Sequence, residues 1–278
     1  MVVMYPEVGQ IGPVVIRTYT LLLDLAILLG LGMLAWQGGR TDKQATRWLD
    51  AGLFALAGGI VGGRLEHIVI HWDYFLEHPA EILQIWNGGI GWHGAVIFGL
   101  VSLAIARRVT RVGFAPLAGV LSLALPLGAA LTYTGCLMNR CANGREVESL
   151  VGYPPLLVAE LPDMYGMVTP RLASQLYGII FCLCLLAVSI ALARRVKRPG
   201  LRFWPILALL GLGAFGIGFT RGDSNPMLGP LRLDQILDLV MVVIGVAGTI
   251  KAARQPIEEA KTLTTERRFA AIRPGHDE

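Results

Sequence analysis

The stretch WNGGIGWHGAVIFGLVSLAIA, residues 86–106, places a histidine at the start of a long apolar run. Every position from Gly94 to Ala106 holds an apolar or small residue, which is typical of a helix that enters a membrane. A titratable ring is costly at such a position, and ionisable side chains in membrane spans usually have a function. His93 is therefore the first candidate functional residue.

The composition of the whole chain agrees with that fragment. Of 278 residues, 54% are hydrophobic and only 16% are charged, and the mean hydropathy is +0.58. These values predict an all-α polytopic membrane protein rather than a soluble domain. The basic balance, with a pI near 9.0, comes from short connectors between apolar runs, so we expect no nucleic-acid binding.

Apolar runs long enough to cross a bilayer as helices predict about seven transmembrane spans. The predicted spans are 14–36, 48–70, 89–106, 113–137, 172–193, 203–219 and 232–250. Lys and Arg are concentrated in alternate connectors, at 37–47, 107–111 and 194–202. Because basic connectors stay on the cytoplasmic side, this pattern predicts the N-terminus outside and the C-terminus inside.

The chain divides into one membrane domain and a tail. We expect a single transmembrane domain over 1–250, and a charged cytoplasmic tail over 251–278. The start of the chain lacks a basic n-region and a small-residue cleavage site, so the first span is expected to stay as an anchor. The longest connection, 138–171, is predicted to lie outside and cover a site there.

Four cysteines fall into two pairs. Cys182 and Cys184 lie in the middle of a predicted span and are expected to pack as small core residues. Cys136 and Cys141 lie at the outer end of the fourth span, where oxidation can occur, but their spacing does not establish a disulfide. Without a Cys-x-x-Cys motif or clustered histidines, we expect no metal site.

Several polar side chains lie within or beside the spans, and each has an ordinary structural explanation. Arg17 can extend its guanidinium to the headgroups, and Gln235 can join helices. Arg64, inside the second span, requires a carboxylate, phosphate or backbone partner. What these residues share is a place at or toward the outer ends of the spans: Arg17, Arg64, His93, Arg140, Arg145, Gln175, Arg221 and Gln235. Convergent cationic groups suit an anionic lipid headgroup.

These residues resemble a known family, the prolipoprotein diacylglyceryl transferases of bacterial inner membranes. The resemblance covers most of residues 5–250, and both the order and the spacing of its motifs agree. It is carried by Ile16-Arg17-Thr18-Tyr19, Gly63-Arg64-Leu65, the Trp86 to Gly94 stretch, Gly135-Cys136, Gly144-Arg145, Pro170, Gln175-Leu176-Tyr177, Arg221-Gly222-Asp223 and Gln235.

The resemblance implies that phosphatidylglycerol donates its diacylglyceryl group to the lipobox cysteine of a preprolipoprotein, forming a thioether and releasing glycerol 1-phosphate. It implies membrane lipids as surroundings and no metal or soluble cofactor. Catalytic roles fall on His93 as base and on Arg64 and Arg140 as phosphate-stabilising cations. The implied substrate-binding residues are Arg17, Tyr19, Gly89, Gly94, Tyr133, Asn139, Asn143, Gly144, Arg145, Gln175, Tyr177, Arg221 and Gln235.

The sequence also departs from the family pattern. Tyr133 and Ala214 stand where the family has arginines, and Gly218 stands where the family has a glutamate. Two hypotheses follow. Either the chain transfers the diacylglyceryl group, with loop arginines such as Arg140 or Arg145 supplying positive charge, or it is a non-catalytic relative that binds phospholipid or a lipoprotein precursor. A transporter fits less well, because transporters usually contain repeats around a midplane site.

Overall fold

The computed structural model describes residues 5–12, 14–41, 43–154, 156–163 and 165–255. Over these residues seven helices are long and apolar enough to cross a membrane, and one short helix, α3, lies between the second and third of them. In chain order the helices are α1 (Thr18–Thr41), α2 (Ala45–Ile70), α3 (Trp72–Glu77), α4 (Trp92–Thr110), α5 (Phe114–Asn139), α6 (Ser174–Arg195), α7 (Pro199–Gly218) and α8 (Leu233–Arg254).

Short antiparallel hairpins lie in the connections at one end of the helices, which we call the loop end. They are β1 (Glu7–Ile11) with β2 (Val14–Arg17), β3 (Val158–Pro162) with β4 (Val168–Leu172), and β5 (Met227–Leu228) with β6 (Leu231–Arg232). The helices α1, α4, α6 and α8 begin at the loop end. The basic connectors lie at the opposite end, which we call the basic end.

The prediction of a polytopic helical protein with about seven spans is confirmed. The first span differs, because Val14–Arg17 pairs with Glu7–Ile11 as a β-hairpin and α1 begins only at Thr18. Hydropathy counts apolar side chains and cannot tell a paired strand from the first turn of a helix. The last helix runs to Arg254, beyond the predicted boundary at 250, and residues 256–278 of the predicted tail lie outside the described residues.

Glycines bring α2 and α4 into backbone contact. A Cβ on Gly62 would clash with the carbonyl oxygen of Gly94, and a Cβ on Gly94 would clash with that of Gly62. A Cβ on Gly58 would likewise meet the side chain of Ser102. Small residues are what lets helices approach closely in lipid, where dispersion and hydrogen bonds replace the hydrophobic effect. This close approach sets the start of α4 against the last turns of α2.

A second tight contact joins α7 to α8 and brings both beside α4. Phe203 and Leu207 on α7 and Met241 on α8 are fully buried in one cluster, against which Trp92 of α4 packs. A Cβ on Gly245 would lie 2.6 Å from the backbone nitrogen of Ala208. The first turns of α4 and α8 are therefore neighbours at the loop end.

Candidate functional site

His93 lies in the first turn of α4, buried between two carboxylates. Its Nδ1 is 2.9 Å from Oε1 of Glu66 on α2, and its Nε2 is 2.9 Å from Oδ1 of Asp238 on α8. The residue is only 2% exposed. The backbone N–H of Gly94 donates to the other Glu66 oxygen over 2.7 Å. One ring thus joins three helices, and we call Glu66, His93 and Asp238 the acid–histidine trio.

The hydrogen bonds of the trio determine how many protons it holds and between which atoms they lie. A ring nitrogen and a carboxylate oxygen at 2.9 Å share a proton, so each of the two bonds contains one. The ring is then an imidazolium between two carboxylates, or a neutral imidazole beside one protonated carboxyl. A further proton can bind only at a carboxylate oxygen. Among the described residues, Oδ2 of Asp238 has no hydrogen-bond partner, which makes this oxygen the open position.

Arg64 on α2 is buried, and backbone carbonyls occupy its guanidinium. Nε donates to the Ile82 oxygen over 2.9 Å and Nη2 to the Glu81 oxygen over 2.6 Å. Nη1 donates to the oxygens of Gly88 and Gly89 over 2.8 and 3.2 Å. Of the partners that a buried guanidinium can have, the structure uses the backbone. Arg64 therefore holds the 81–89 segment that leads into His93, and its catalytic role stays a prediction.

Two predicted binding glycines are required by packing. Gly89 has a positive φ of 75°, and a Cβ there would clash with the ring of His67 and approach Arg64. Gly94 faces the carbonyl oxygen of Gly62, as described above. Glycine is favoured at Gly89 by its backbone conformation and at both positions by the lack of space. Whether either also contacts a substrate stays a prediction.

A cavity of about 480 Å³ opens at the loop end, and we call it the outer cavity. It brings together four residues predicted from sequence to belong to the site, which come from the β1–β2 hairpin and from the segment after α5. These residues are Arg17, Asn139, Arg140 and Asn143. The rest of its lining is Pro6, Glu7, Cys141, Ala142, Asp223 and Ser224.

The outer cavity contains cations without carboxylate partners. Within the described part of the chain, neither Arg17 nor Arg140 forms an ion pair, and Nε of Arg140 is buried without a hydrogen-bond partner. Arg140 caps α5 in a left-handed conformation, with φ of 63°. Of the carboxylates in the lining, Asp223 is neutralised by neighbouring arginines, which leaves Glu7 against two guanidiniums. The surplus of positive charge suits an anionic ligand.

Arg221, by contrast, is already paired. It forms ion pairs with Asp223 and Asp234, and Arg232 contacts the same two carboxylates from the other side. Burial by itself raises the pKa of Asp223, but the hydrogen bond and charge of Arg221 outweigh burial and hold that pKa below its usual range. Burial lowers the pKa of Arg221, and the two aspartates more than reverse this. The predicted role of Arg221 in substrate binding therefore competes with internal pairing.

The long loop is fastened to the segment after α7 through two predicted residues. Gly144 pairs with Arg221 in a β-bridge, and the N–H of Arg145 donates to the Thr220 oxygen over 2.9 Å. A Cβ on Gly144 would clash with the carbonyl oxygen of Leu172. The side chain of Arg145 is exposed and forms no ion pair in the described structure. These contacts fix the loop that carries one wall of the outer cavity.

Two predicted residues of α6 bind the same loop. Nε2 of Gln175, which is 2% exposed, donates to the Cys141 carbonyl over 2.9 Å. The hydroxyl of Tyr177 donates to the Leu157 carbonyl. Both side chains therefore contact the backbone of the loop at the loop end, and neither lines the outer cavity.

Gln235 joins α8 to α7. Its Nε2 donates to the Phe215 carbonyl over 3.1 Å, and its Oε1 accepts the N–H of Arg232 over 3.1 Å. The sequence-based interpretation of Gln235 as a residue that joins helices agrees with this contact. Gln235 also completes the capping arrangement at the start of α8, one turn before Asp238.

The predicted tyrosines pack in helix interfaces. A Cβ on Gly135 would lie 3.0 Å from the Tyr19 ring, and a Cβ on Gly178 would clash with the Tyr133 ring. Tyr133 is close enough to Arg221 and Asp238 to interact with both charges. Its ring packs between α5 and α6, against Gly178.

The cysteine pairs behave differently from each other. Cys136 and Cys141 form a disulfide, with a Cα to Cα distance of 4.6 Å, which their spacing alone left open. Cys182 is fully buried, as expected. The expectation for Cys184 was wrong, because its side chain is exposed on the surface of α6 and does not pack in the core. Residues two positions apart on a helix lie about 200° apart around its axis, so Cys182 and Cys184 cannot share one face.

A sequence model of the prolipoprotein diacylglyceryl transferase family matches residues 6–251. The chain belongs to this family. A phosphatidylglycerol–prolipoprotein diacylglyceryl transferase of Trichormus variabilis is 32% identical over 256 residues, covering 87% of this chain and 88% of its own. That of Symbiobacterium thermophilum is 32% identical over 261 residues, covering 91% and 94%. That of Bacillus licheniformis is 28% identical over 247 residues, covering 87% and 90%.

Sequence reasoning missed Glu66 and Asp238 as members of the site. Neither carboxylate was among the residues singled out from the sequence. The available signal was the same one that singled out His93, namely an ionisable side chain within a predicted span. Both carboxylates lie inside predicted spans, and only the fold shows that they share one partner.

Proposed function

We propose that this chain transfers the diacylglyceryl group of phosphatidylglycerol to the thiol of a lipobox cysteine in a preprolipoprotein. The family match over 6–251 supports the reaction class. The observation that carries the proposal to this chain is the outer cavity, where Arg17 and Arg140 have no carboxylate partner. Unpaired guanidiniums at the end of a membrane bundle suit a lipid phosphate, because planar N–H donors match phosphate oxygens.

The reaction needs positive charge where the phosphate is released. The thiolate sulfur forms a C–S bond with the glyceryl carbon of the lipid, and the bond between that carbon and a phosphate oxygen breaks. The departing glycerol 1-phosphate gains one negative charge relative to the phosphodiester. Arg17 and Arg140 stabilise this developing charge. Such stabilisation raises the rate because it is greater in the transition state than in the bound lipid.

The thiol must lose its proton before it attacks. A cysteine thiol has a reference pKa of about 8.5, so a base near the substrate is needed. We assign this role to His93 acting with its two carboxylates. With the two internal hydrogen bonds of the trio occupied, the proton enters at the open Oδ2 of Asp238, and the ring of His93 redistributes the charge between Asp238 and Glu66.

Other predicted residues are assigned supporting roles. Tyr133 occupies the position of a family arginine and packs against Gly178 of α6, and we assign its hydroxyl as a further hydrogen-bond donor to the lipid. Arg64 acts through the 81–89 segment that it holds in front of His93. Arg145, exposed on the loop, adds positive charge at the approach to the cavity.

We further propose that the protein lies in the bacterial inner membrane with the loop end outside. The N-terminus is then outside and the C-terminus inside, because the basic connectors occupy the cytoplasmic end. The region 1–250 acts as one domain together with the rest of α8, which runs to Arg254, and loop 138–171 covers the site. Labelling of single cysteines introduced at Arg145 and at Arg108 by an impermeant maleimide tests this orientation. Labelling of the Arg108 position from outside intact cells would contradict it.

A cell-free assay tests the transfer itself. The full chain in lipid nanodiscs is incubated with phosphatidylglycerol labelled in its acyl chains and with a lipobox peptide, and labelled peptide is measured. We expect transfer with the native peptide and none with a peptide in which the lipobox cysteine is serine. Retained binding of phosphatidylglycerol without any transfer would instead support the non-catalytic alternative, a relative that binds lipid or precursor.

A further inference from the structure

The disulfide between Cys136 and Cys141 lies at the outer cavity. Cys136 is in the last turn of α5, Cys141 follows that helix, and both residues are half-buried. The segment from Asn139 to Asn143 forms one wall of the cavity, and Cys141 is among its lining residues. The disulfide therefore belongs to the cavity wall through Cys141.

Hydrogen bonds hold this segment in addition to the disulfide. The N–H of Cys141 donates to the Cys136 carbonyl over 3.0 Å, and Nε2 of Gln175 donates to the Cys141 carbonyl over 2.9 Å. The N–H of Gly222 donates to the Asn143 carbonyl over 2.9 Å. A bond that closes so short a loop restricts the unfolded chain least. Its place in the cavity wall is thus better explained by chemistry than by stability.

The charges around the bond favour reaction with a thiolate. In thiol–disulfide exchange, negative charge passes from the attacking sulfur to the leaving sulfur and is shared by three sulfurs in between. Arg17 and Arg140 lie in the same cavity and have no ion-pair partner within the described residues. They attract the thiolate and stabilise the charge while it moves.

We propose that the Cys136–Cys141 disulfide captures the cysteine of the protein substrate as a mixed disulfide. This inference rests on the proposed function, which brings a cysteine-containing peptide into the outer cavity. The substrate thiolate forms a bond with Sγ of Cys141, the bond from Cys141 to Cys136 breaks, and Cys136 leaves as a thiolate. Attack of Cys136 on the mixed disulfide restores the original bond and frees the substrate thiolate, so no oxidant or reductant is consumed.

Capture has a direct consequence for the transfer reaction. A sulfur held in a disulfide is not a nucleophile, so the substrate cannot react while it is captured. The exchange therefore retains the peptide in the cavity before lipid arrives, and the returning Cys136 thiolate releases the sulfur for transfer. The phosphate-binding arginines and the capturing disulfide share one cavity, so a captured cysteine is held beside the groups that bind the lipid phosphate.

The experiment uses the full chain in nanodiscs without reductant, mixed with the lipobox peptide and quenched with maleimide. Non-reducing mass spectrometry should find the peptide on Cys141 and maleimide on Cys136. Opening of the disulfide should be at least about tenfold faster with the peptide than with 2-mercaptoethanol at equal thiolate concentration, because binding raises the effective concentration. Cys184→Ser, which removes a cysteine far from the cavity, should give the same adduct at the same rate.

A trapping variant isolates the reactive sulfur. Cys136→Ser leaves Cys141 as a free thiol, which should form no adduct with the peptide thiol. With a peptide activated as its thionitrobenzoate disulfide, it should form a stable adduct that is not released. The double variant Cys136→Ser/Cys141→Ser should form neither.

Transfer of labelled diacylglyceryl group is measured in the same samples, so that the two ideas fail separately. Transfer without a peptide adduct would overturn the capture and leave the proposed function intact. An adduct without transfer would sustain the capture and count against the transferase. Exchange with the peptide no faster than with 2-mercaptoethanol would overturn the capture, because it would mean that the cavity does not present the substrate thiolate to the bond.

Discussion

The acid–histidine trio and the outer cavity treat charge in opposite ways. In the trio, both nitrogens of His93 are bound by carboxylates, and the ring is buried by three helices. In the outer cavity, Arg17 and Arg140 come from a hairpin and a helix cap and have no carboxylate partner. The internal hydrogen bonds of His93 fix its position and connect it to groups that can exchange protons. The guanidiniums of Arg17 and Arg140, which have no carboxylate partner, are available to a ligand.

The same contrast separates two arginines that sequence alone treats alike. Arg64 donates to four backbone carbonyls, so removing it should damage the fold. Arg140 has a buried Nε without a partner, so removing it should damage binding. Substitutions in the two regions can therefore separate positioning from binding.

The largest effect is expected at the centre of the trio. His93→Gln keeps hydrogen-bonding capacity but cannot carry a proton, so transfer should fall by about 10²–10⁴-fold, the usual contribution of a general base. The transfer assay with saturating lipid measures this. His71→Gln is the matched control, because the His71 side chain is exposed and its ring bonds only the His67 carbonyl of the preceding helix. Equal activity of the His93 variant and the control would remove the trio from the mechanism.

A smaller effect on the fold is expected at Arg64. Arg64→Ala leaves the carbonyls of Glu81, Ile82 and Gly88 without their donor, in a segment that is only partly buried. Water can replace part of the lost hydrogen bonding, so the free energy of unfolding should drop by about 1–3 kcal/mol in total. Thermal unfolding in detergent measures the change. Arg64→Lys should recover part of it through one retained donor, and a normal melting temperature for Arg64→Ala would mean that the segment is held by other contacts.

The cavity arginine should behave in the opposite way. Arg140→Ala removes a charge-assisted contact with phosphate that strengthens as negative charge develops, so kcat should fall and the KM for phosphatidylglycerol should rise. Together they should lower kcat/KM about tenfold or more, and tenfold corresponds to about 1.4 kcal/mol. The melting temperature should stay unchanged, since no ion pair is lost among the described residues. Arg108→Ala, at the basic end, is the matched control. A loss of stability with an unchanged kcat/KM would reverse the distinction between the two regions.

The smallest effect concerns pH and the ion pairs beside the cavity. The pKa of Asp223 is held below its usual range by Arg221, so its stabilising contribution is present above the unfolded value of about 3.9 and disappears as pH falls through the folded pKa. Melting temperatures of the wild type should fall below about pH 4, and Asp223→Asn should weaken that dependence. Asp73→Asn, which changes an exposed carboxylate on α3, is the control. An identical acid profile in wild type and Asp223→Asn would contradict the assignment.

Much of the fold could be predicted because membrane helices are specified locally. Each span is a run of apolar residues whose length matches the bilayer, and seven helices meet that requirement. The first span was placed too early, since Val14–Arg17 is apolar enough for a helix but pairs with β1. Pairing between segments is invisible to a hydropathy window.

The candidate site was predictable only in part. Arg17, Asn139, Arg140 and Asn143 were predicted from the sequence and meet in one cavity. Glu66 and Asp238 were missed because their importance depends on a shared partner. Asp238 is 145 residues from His93, and no local pattern links them.

The sequence by itself determined the membrane class, the seven spans and the family, because each follows from apolar length or from the order of motifs along the chain. Only the tertiary structure decided which polar groups are partners. It placed two carboxylates on His93, gave the donors of Arg64 to the backbone and joined Cys136 to Cys141. The physical reason is that the helices packed beside a buried charge set its environment. The residues that make these contacts are far apart in the sequence.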